Sequence, residues 1–211
     1  MKKLLMTIAT GALLTSCGSD AVKTTDVPTQ DKTAVVAAPK VAGTNFSVNT
    51  TESVLNWKGS AVGKSHNGTV AVQSGSIEVS EGTIIGGELT FDMTTITCLD
   101  LDESTGKGKL EGHLKMPEFF NVDTFTTSKI VIKSLSVDSV TAELTIKEVT
   151  KSITFPATVA VTDSSVNVNA KVIVNRTDFG VVYASGNFFD LAKDKAISDD
   201  VEFEVVVNAT K

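Results

Sequence analysis

From residue 88 onward the chain alternates. Leu89, Phe91 and Met93 are apolar against Glu88, Thr90 and Asp92. Val140, Ala142, Leu144 and Ile146 stand against Thr141, Glu143 and Thr145. The series Ile153, Phe155, Ala157, Val159, Val161 follows, then Val166, Val168, Ala170, Val172, Val174, and finally Val201, Phe203, Val205, Val207. A period of two puts successive side chains on opposite faces of a strand, so each run has one dry and one wet face. Turn signals separate the runs: Ser74-Gly75, Glu81-Gly82, Asp138-Ser139 and Asp163-Ser164-Ser165. About eight such strands predict an all-β fold, an eight-stranded antiparallel sheet curled into a barrel.

One segment breaks the alternation. Residues 99–120, LDLDESTGKGKLEGHLKMPEFF, place Leu110 and Leu114 four apart, with Lys107 and Glu111 spaced to pair across one helical turn. Pro117 suits the first position of a second short helix carrying Phe119 and Phe120. The expectation is one or two short helices inserted between the third and fourth strands, across an end of the barrel.

The N-terminal residues read as an address. Lys2 and Lys3 precede an apolar run, Leu4 to Leu14, too short to span a bilayer, and Leu14-Thr15-Ser16-Cys17 closes it. Small residues before a cysteine have the pattern of a bacterial lipoprotein signal, with residues 1–16 removed and Cys17 lipidated. The alternative is an ordinary signal peptide with an incidental cysteine. Residues 17–42 are rich in Ser, Thr, Asp, Lys, Pro and Ala without an aromatic, which is tether composition. The barrel domain is then 43–211, held at a membrane of the bacterial envelope, on its outer-membrane or periplasmic face. Lipidation of Cys17 would leave Cys98 alone and no disulfide to form. Set among Thr95, Ile96, Thr97, Leu99 and Asp100, Cys98 reads as a buried structural thiol, not a nucleophile.

Several chemistries find no support. GSAVGKSHNG, residues 59–68, carries the Gly-Lys-Ser of a phosphate loop, but Gly59 and Gly63 enclose three residues where that loop needs four, and His66-Asn67-Gly68 reads as a turn into another strand where a helix should begin. Lys64 is then a solvated turn residue. The net charge of −6 shows no basic stripe, which argues against nucleic acid. No His or Cys pair has metal-ligand spacing, Asp100, Asp102 and Glu103 lack the spacing of a calcium loop, and no nucleophile elbow occurs, so neither a metal nor a cofactor is expected. The two histidines, His66 and His113, read first as a turn-ordering group and a polar group satisfied within helix packing. Either could instead meet a head group at a barrel mouth. The inward positions are small, chiefly Val and Ala, and small walls around eight strands leave room for an apolar guest.

LNWKGSAVGKSHNGTV, GGELTFDMTTI, GHLKMPEFFNV, AELTIKEVTKSITFP and NRTDFG occur in this order between Phe46 and Ala209. In these pieces the chain resembles the YceI-like family of lipid-binding proteins; GHLKMPEFFNV is the most specific. The resemblance implies a lipocalin-like barrel with a helical insertion, holding a polyisoprenoid or similar amphiphile in an elongated tunnel, with no established catalytic residue. Met116, Glu148 and the Phe188-Phe189 pair depart from the family pattern, and that pair could cap or narrow the tunnel. Alternation and resemblance together nominate Trp57, Phe91, Met93, Leu114, Phe119, Phe120, Phe179 and Tyr183 as wall residues. The expected function is non-enzymatic binding, transport or sequestration of a long isoprenoid or fatty lipid, with a membrane reached through Cys17 and a homodimer as an option. Two other readings stay open: a packed structural or interaction module, and an envelope enzyme using His113 or His66.

Overall fold

The computed structural model describes residues 42–190 and 195–211. The signal, Cys17 and nearly all of the tether therefore lie outside the described residues. Nine strands form one antiparallel sheet: β1 Thr44–Val48, β2 Val54–Ala61, β3 Lys64–Ser80, β4 Thr83–Cys98, β5 Thr127–Leu135, β6 Ser139–Ile146, β7 Val149–Val161, β8 Ser165–Asn175 and β9 Asp200–Thr210. Pairing runs β2-β9-β8-β7-β6-β5-β4-β3 and returns to β2, so the sheet closes. β1 lies in line with β2. Both pair with β3 and with β9, β1 at Phe46↔Ile77 and Ser47↔Thr210, β2 at Trp57↔Gly68 and Trp57↔Phe203. Counted by staves, the barrel has eight, the first broken at residues 49–53.

The alternation decides which way each strand faces. Val140, Ala142, Leu144 and Ile146 are buried, as are Val166, Val168, Ala170, Val172 and Val174 on β8. Their neighbours pair on the wet face, with Lys129 Nζ 2.6 Å from Glu88 and Lys133 Nζ 2.7 Å from Glu143. Opposite charges across strands are worth about 0.2–1 kcal/mol each. Two strands change phase on the way. On β3, Val70 and Val72 are buried, then Ile77 and Val79. On β4, Leu89, Phe91 and Met93 give way to Ile96 and Cys98. Bulges between Val72 and Ser74 and opposite Thr69–Ala71 absorb the odd residues. At the second bulge Thr95 Oγ1 accepts from Ala71 N–H, in place of a backbone carbonyl.

Ser74-Gly75 is therefore no turn: it lies within continuous β3. A Cβ on Gly75 would stand 2.8 Å from Glu88 O and 2.9 Å from Val48, so the glycine serves close packing. Glu81-Gly82 is a turn, with φ 51° and 74°. His66-Asn67-Gly68 likewise belongs to β3, the turn falling at residues 62–63.

The insertion is one α-helix, α1 Lys107–Lys115, between the third and fourth staves. It has no side-chain cap and no buried residue, and Gly108 and Gly112 weaken it. Glu111 secures it. One carboxylate oxygen accepts from Thr97 Oγ1 at 2.6 Å and from Cys98 N–H at 2.8 Å, at the end of β4. Those bonds hold the Glu111 carboxyl below its usual range. The second expected helix at Pro117 does not form. The chain turns back on α1: Phe120 N–H donates to Leu114 O and Val122 N–H to Lys115 O, with Asn121 at φ 48°. Helix-end carbonyls without partners recruit the following chain, and that stops propagation.

Candidate functional site

The barrel is filled at one end and hollow towards the other. At the end holding the β3–β4 turn, Phe46, Ile77, Ile84 and Val166 are at most 2% exposed and pack together across the interior. None of them borders the hollow. Beyond them a cavity of about 560 Å³ rises between Leu55, Leu89, Ile132, Phe155 and Val207 and reaches solvent beside the β2–β3 hairpin and residues 195–198. Its wall is apolar through nearly all its depth, and polar groups gather at the mouth.

Of the nominated wall residues, Phe91 and Met93 from β4 and Trp57 from β2 line the cavity. Leu114 on α1 and Phe119 and Phe120 just after it line it too. Tyr183 completes the upper wall, its ring 4.8 Å from His113 and 5.2 Å from Phe119, while His113 and Phe119 stand 4.9 Å apart edge-to-face. Phe179 is not on the wall. It ends the 3-10 turn Arg176–Phe179, and that turn buries its ring at 2% exposure among the β6–β8 side chains. Phe188 and Phe189 are exposed and do not border the cavity.

Trp57 occupies its place because Gly68 faces it. A Cβ on Gly68 would fall 2.6 Å from the indole and 1.8 Å from Thr97 O. The indole N–H is buried without a hydrogen-bond partner. The chain's only tryptophan is thus seated by shape alone.

Both histidines reach the mouth and line the cavity. His66 Nδ1 is 2.8 Å from Asp100 Oδ2, and Asp100 Oδ1 accepts from Asn67 N–H at 2.8 Å and from the Cys98 thiol at 3.2 Å. The Asn67 N–H first, with help from His66 and Cys98, holds the Asp100 carboxyl at about 2 against the opposing cost of desolvation. His113 is half-exposed, its Nε2 3.2 Å from Glu118 Oε1, so it is not packed away inside the helix contacts as its position suggested.

Arg176 is the residue that sequence reasoning missed. It is 5% exposed and borders the cavity. Its Nε donates to Ser198 O at 2.9 Å, Nη1 to Val181 O at 2.7 Å, and Nη2 to Ile197 O at 3.1 Å and Asp199 Oδ1 at 3.3 Å. Burial pushes its guanidinium below the usual value and Asp199 opposes that. The side chain thus ties Val181 to residues 197–199 at the barrel end. The signal for it, a lone basic residue directly after an alternating strand, is too common to single it out.

Among the described residues, His66, Cys98 and Asp100 place three ligand atoms within 4.8 Å of one another. Cys98 is fully buried, and desolvation, then Asp100, raises its thiol pKa. A protonated thiol and a carboxylate already holding three donors make a hydrogen-bonded brace between β3 and β4, not a ready metal site.

A match to the YceI-like domain spans residues 46–209. The chain belongs to the YceI-like family. Among solved structures it is similar to BcnA of Burkholderia cenocepacia, with TM-score 0.60 and 18% identity over 77% of this chain and 99% of that one. It is also similar to a polyisoprenoid-binding domain from Saccharophagus degradans implicated in plant cell wall breakdown, with TM-score 0.57 and 18% identity over 81% of this chain and 99% of that one. At such identities the likeness concerns the fold, and it agrees with the closed barrel described above. No curated protein matches the chain.

Proposed function

We propose that this YceI-like domain binds one long apolar lipid, an isoprenoid or a fatty chain, without transforming it. The observation that carries this reading is the cavity: about 560 Å³, walled by aliphatic and aromatic side chains, packed shut at one end. A volume of this size suits a small-molecule guest. A water's share of liquid is about 30 Å³ and a methylene takes nearly as much, so the space matches a chain of roughly 19 carbons, about four isoprene units. Each unit removes about 80–100 Å² from water, roughly 2 kcal/mol gross. Ordering the guest and its lost translational freedom offset part of that. A relative described as polyisoprenoid-binding supports the choice of guest.

In the same proposal the guest is carried or sequestered at a membrane of the bacterial envelope, with Cys17 as the lipidated anchor and residues 17–42 as its tether. The support for that part is sequence: the charged start, the short apolar run and the cysteine in register. Native mass spectrometry of the purified protein, followed by solvent extraction, tests the binding. A bound lipid of about 18–20 carbons or longer, released by solvent, is the expected result. A protein that arrives empty and takes up no offered isoprenoid overturns it. Mass measurement of membrane-extracted protein tests the anchor, which an unmodified Cys17 thiol would remove.

A further inference from the structure

The charges on the cavity wall are one-sided. The chain has 25 acidic and 19 basic residues, yet among the described residues no Asp or Glu borders the cavity, whereas Lys64, Arg176 and Lys195 do, with His66 and His113. Behind the wall, three of these five have an acid of their own: Asp100 for His66, Glu118 for His113 and Asp199 for Arg176. Lys64 and Lys195 have no acid within ion-pair distance among the described residues. Among the described residues, then, two positive charges without an acid partner stand at the mouth of an otherwise greasy hollow.

Their placement makes them a pair. Lys64 opens β3 opposite Ala61, and Ala61 bridges on its other side to Ile197, two residues beyond Lys195. Two strand spacings, roughly 10 Å, separate the backbones of Lys64 and Ile197. Lysine is a flexible point charge that can swing onto an anionic oxygen from either flank. Ser60 and Ser65, on the same stretch of wall, offer hydroxyl donors. A neutral head group would leave both ammonium groups unused; an anionic one would meet both while its tail fills the cavity.

We propose that the guest is an anionic amphiphile, a prenyl phosphate or a chain-terminal carboxylate, whose head group sits between Lys64 and Lys195. This rests on the lipid-binding reading above and narrows it to a class. The test is titration of the full chain with three ligands of twenty carbons in the main chain or its prenyl equivalent: geranylgeranyl monophosphate, geranylgeraniol and arachidic acid. Inorganic phosphate serves as a competitor. The phosphate is expected to bind about tenfold more tightly than the alcohol at low salt, with the advantage shrinking at about 0.5 M salt, as paired but exposed charges require. In Lys64→Gln/Lys195→Gln the ratio of the two affinities should fall close to one. The two anions are the two sources of the same head-group chemistry, and whichever binds more tightly identifies the source. If inorganic phosphate competes, the head group alone is recognised; if it does not, the tail is required as well, and either result supports a lysine-held anion provided the ratio collapses in the double variant. Equal affinity for phosphate and alcohol, or an advantage that survives the double substitution, overturns the inference and leaves the lipid-binding reading standing. No binding of any of the three overturns both.

Discussion

Lengthening a prenyl alcohol one unit at a time asks whether the cavity ends where Phe46, Ile77, Ile84 and Val166 close it. Two further units, from ten carbons to twenty, bury an additional 160–200 Å² or so, about 4 kcal/mol gross. If half of that survives the ordering of the chain, affinity rises about thirtyfold. Beyond twenty carbons the added units hang in water, and from twenty to forty the gain should stay under about threefold. Ala170 lines the wall on β8. In Ala170→Phe a ring of six carbons fills about one isoprene unit of that space, so the break in the series should move from about twenty carbons to about fifteen. The assay is a set of dissociation constants by isothermal titration or by quenching of Trp57, the one native fluorophore of its kind and a wall residue. A slope that runs undiminished through forty carbons would mean that the chain leaves through the packed end. A break that stays put in Ala170→Phe would mean that the guest lies elsewhere.

Gly68→Ala should be among the most damaging small substitutions, because its methyl would overlap Thr97 O and press the Trp57 ring; a loss of about 3 kcal/mol or more in urea unfolding is expected. Glu111→Ala removes the acceptor for Thr97 Oγ1 and Cys98 N–H; a loss of about 2–3 kcal/mol is expected, with faster hydrogen exchange confined to α1 and the end of β4. Asp100, held at about 2 when folded against an ordinary 3.8, contributes stability that is complete above about pH 4 and is lost as pH falls through about 2. The stability gap between wild type and Asp100→Asn should therefore be on the order of 1 kcal/mol at pH 6 and close over that acid window in chemical unfolding followed by fluorescence.

The barrel was legible because alternation is a local property. Five apolar runs, from Leu89-Met93 to Val201-Val207, point inward as their parity requires. Parity failed where strands bulge: nothing near Val72 or Met93 announces that Ile77 and Ile96 belong to the opposite phase, since the extra residues are fixed by neighbouring strands. Gly68 and Gly75 misled for a related reason. A glycine that marks a turn and one that admits a neighbour's side chain look alike in sequence, and only the Trp57 and Val48 contacts distinguish them. Phe119, Phe120 and Tyr183 came from resemblance rather than from period, because they lie outside the alternating strands. Phe179 went astray within a single turn, where one residue changes the direction of a ring. Arg176 was out of reach: the carbonyls of Val181, Ile197 and Ser198 that satisfy it gather only when the chain has folded over the barrel end.

Strand β9 is the last piece of sheet to leave the ribosome, and it is the seam: it joins β8 to β2 and, at its tip, to β1. Until it arrives, two edges stand unpaired with greasy faces turned towards each other, more than a hundred residues apart in sequence. Closure must then be a late event and a slow one, as such distant pairing generally is. A nonsense change anywhere near residue 200 would yield an open, sticky sheet instead of a shortened vessel.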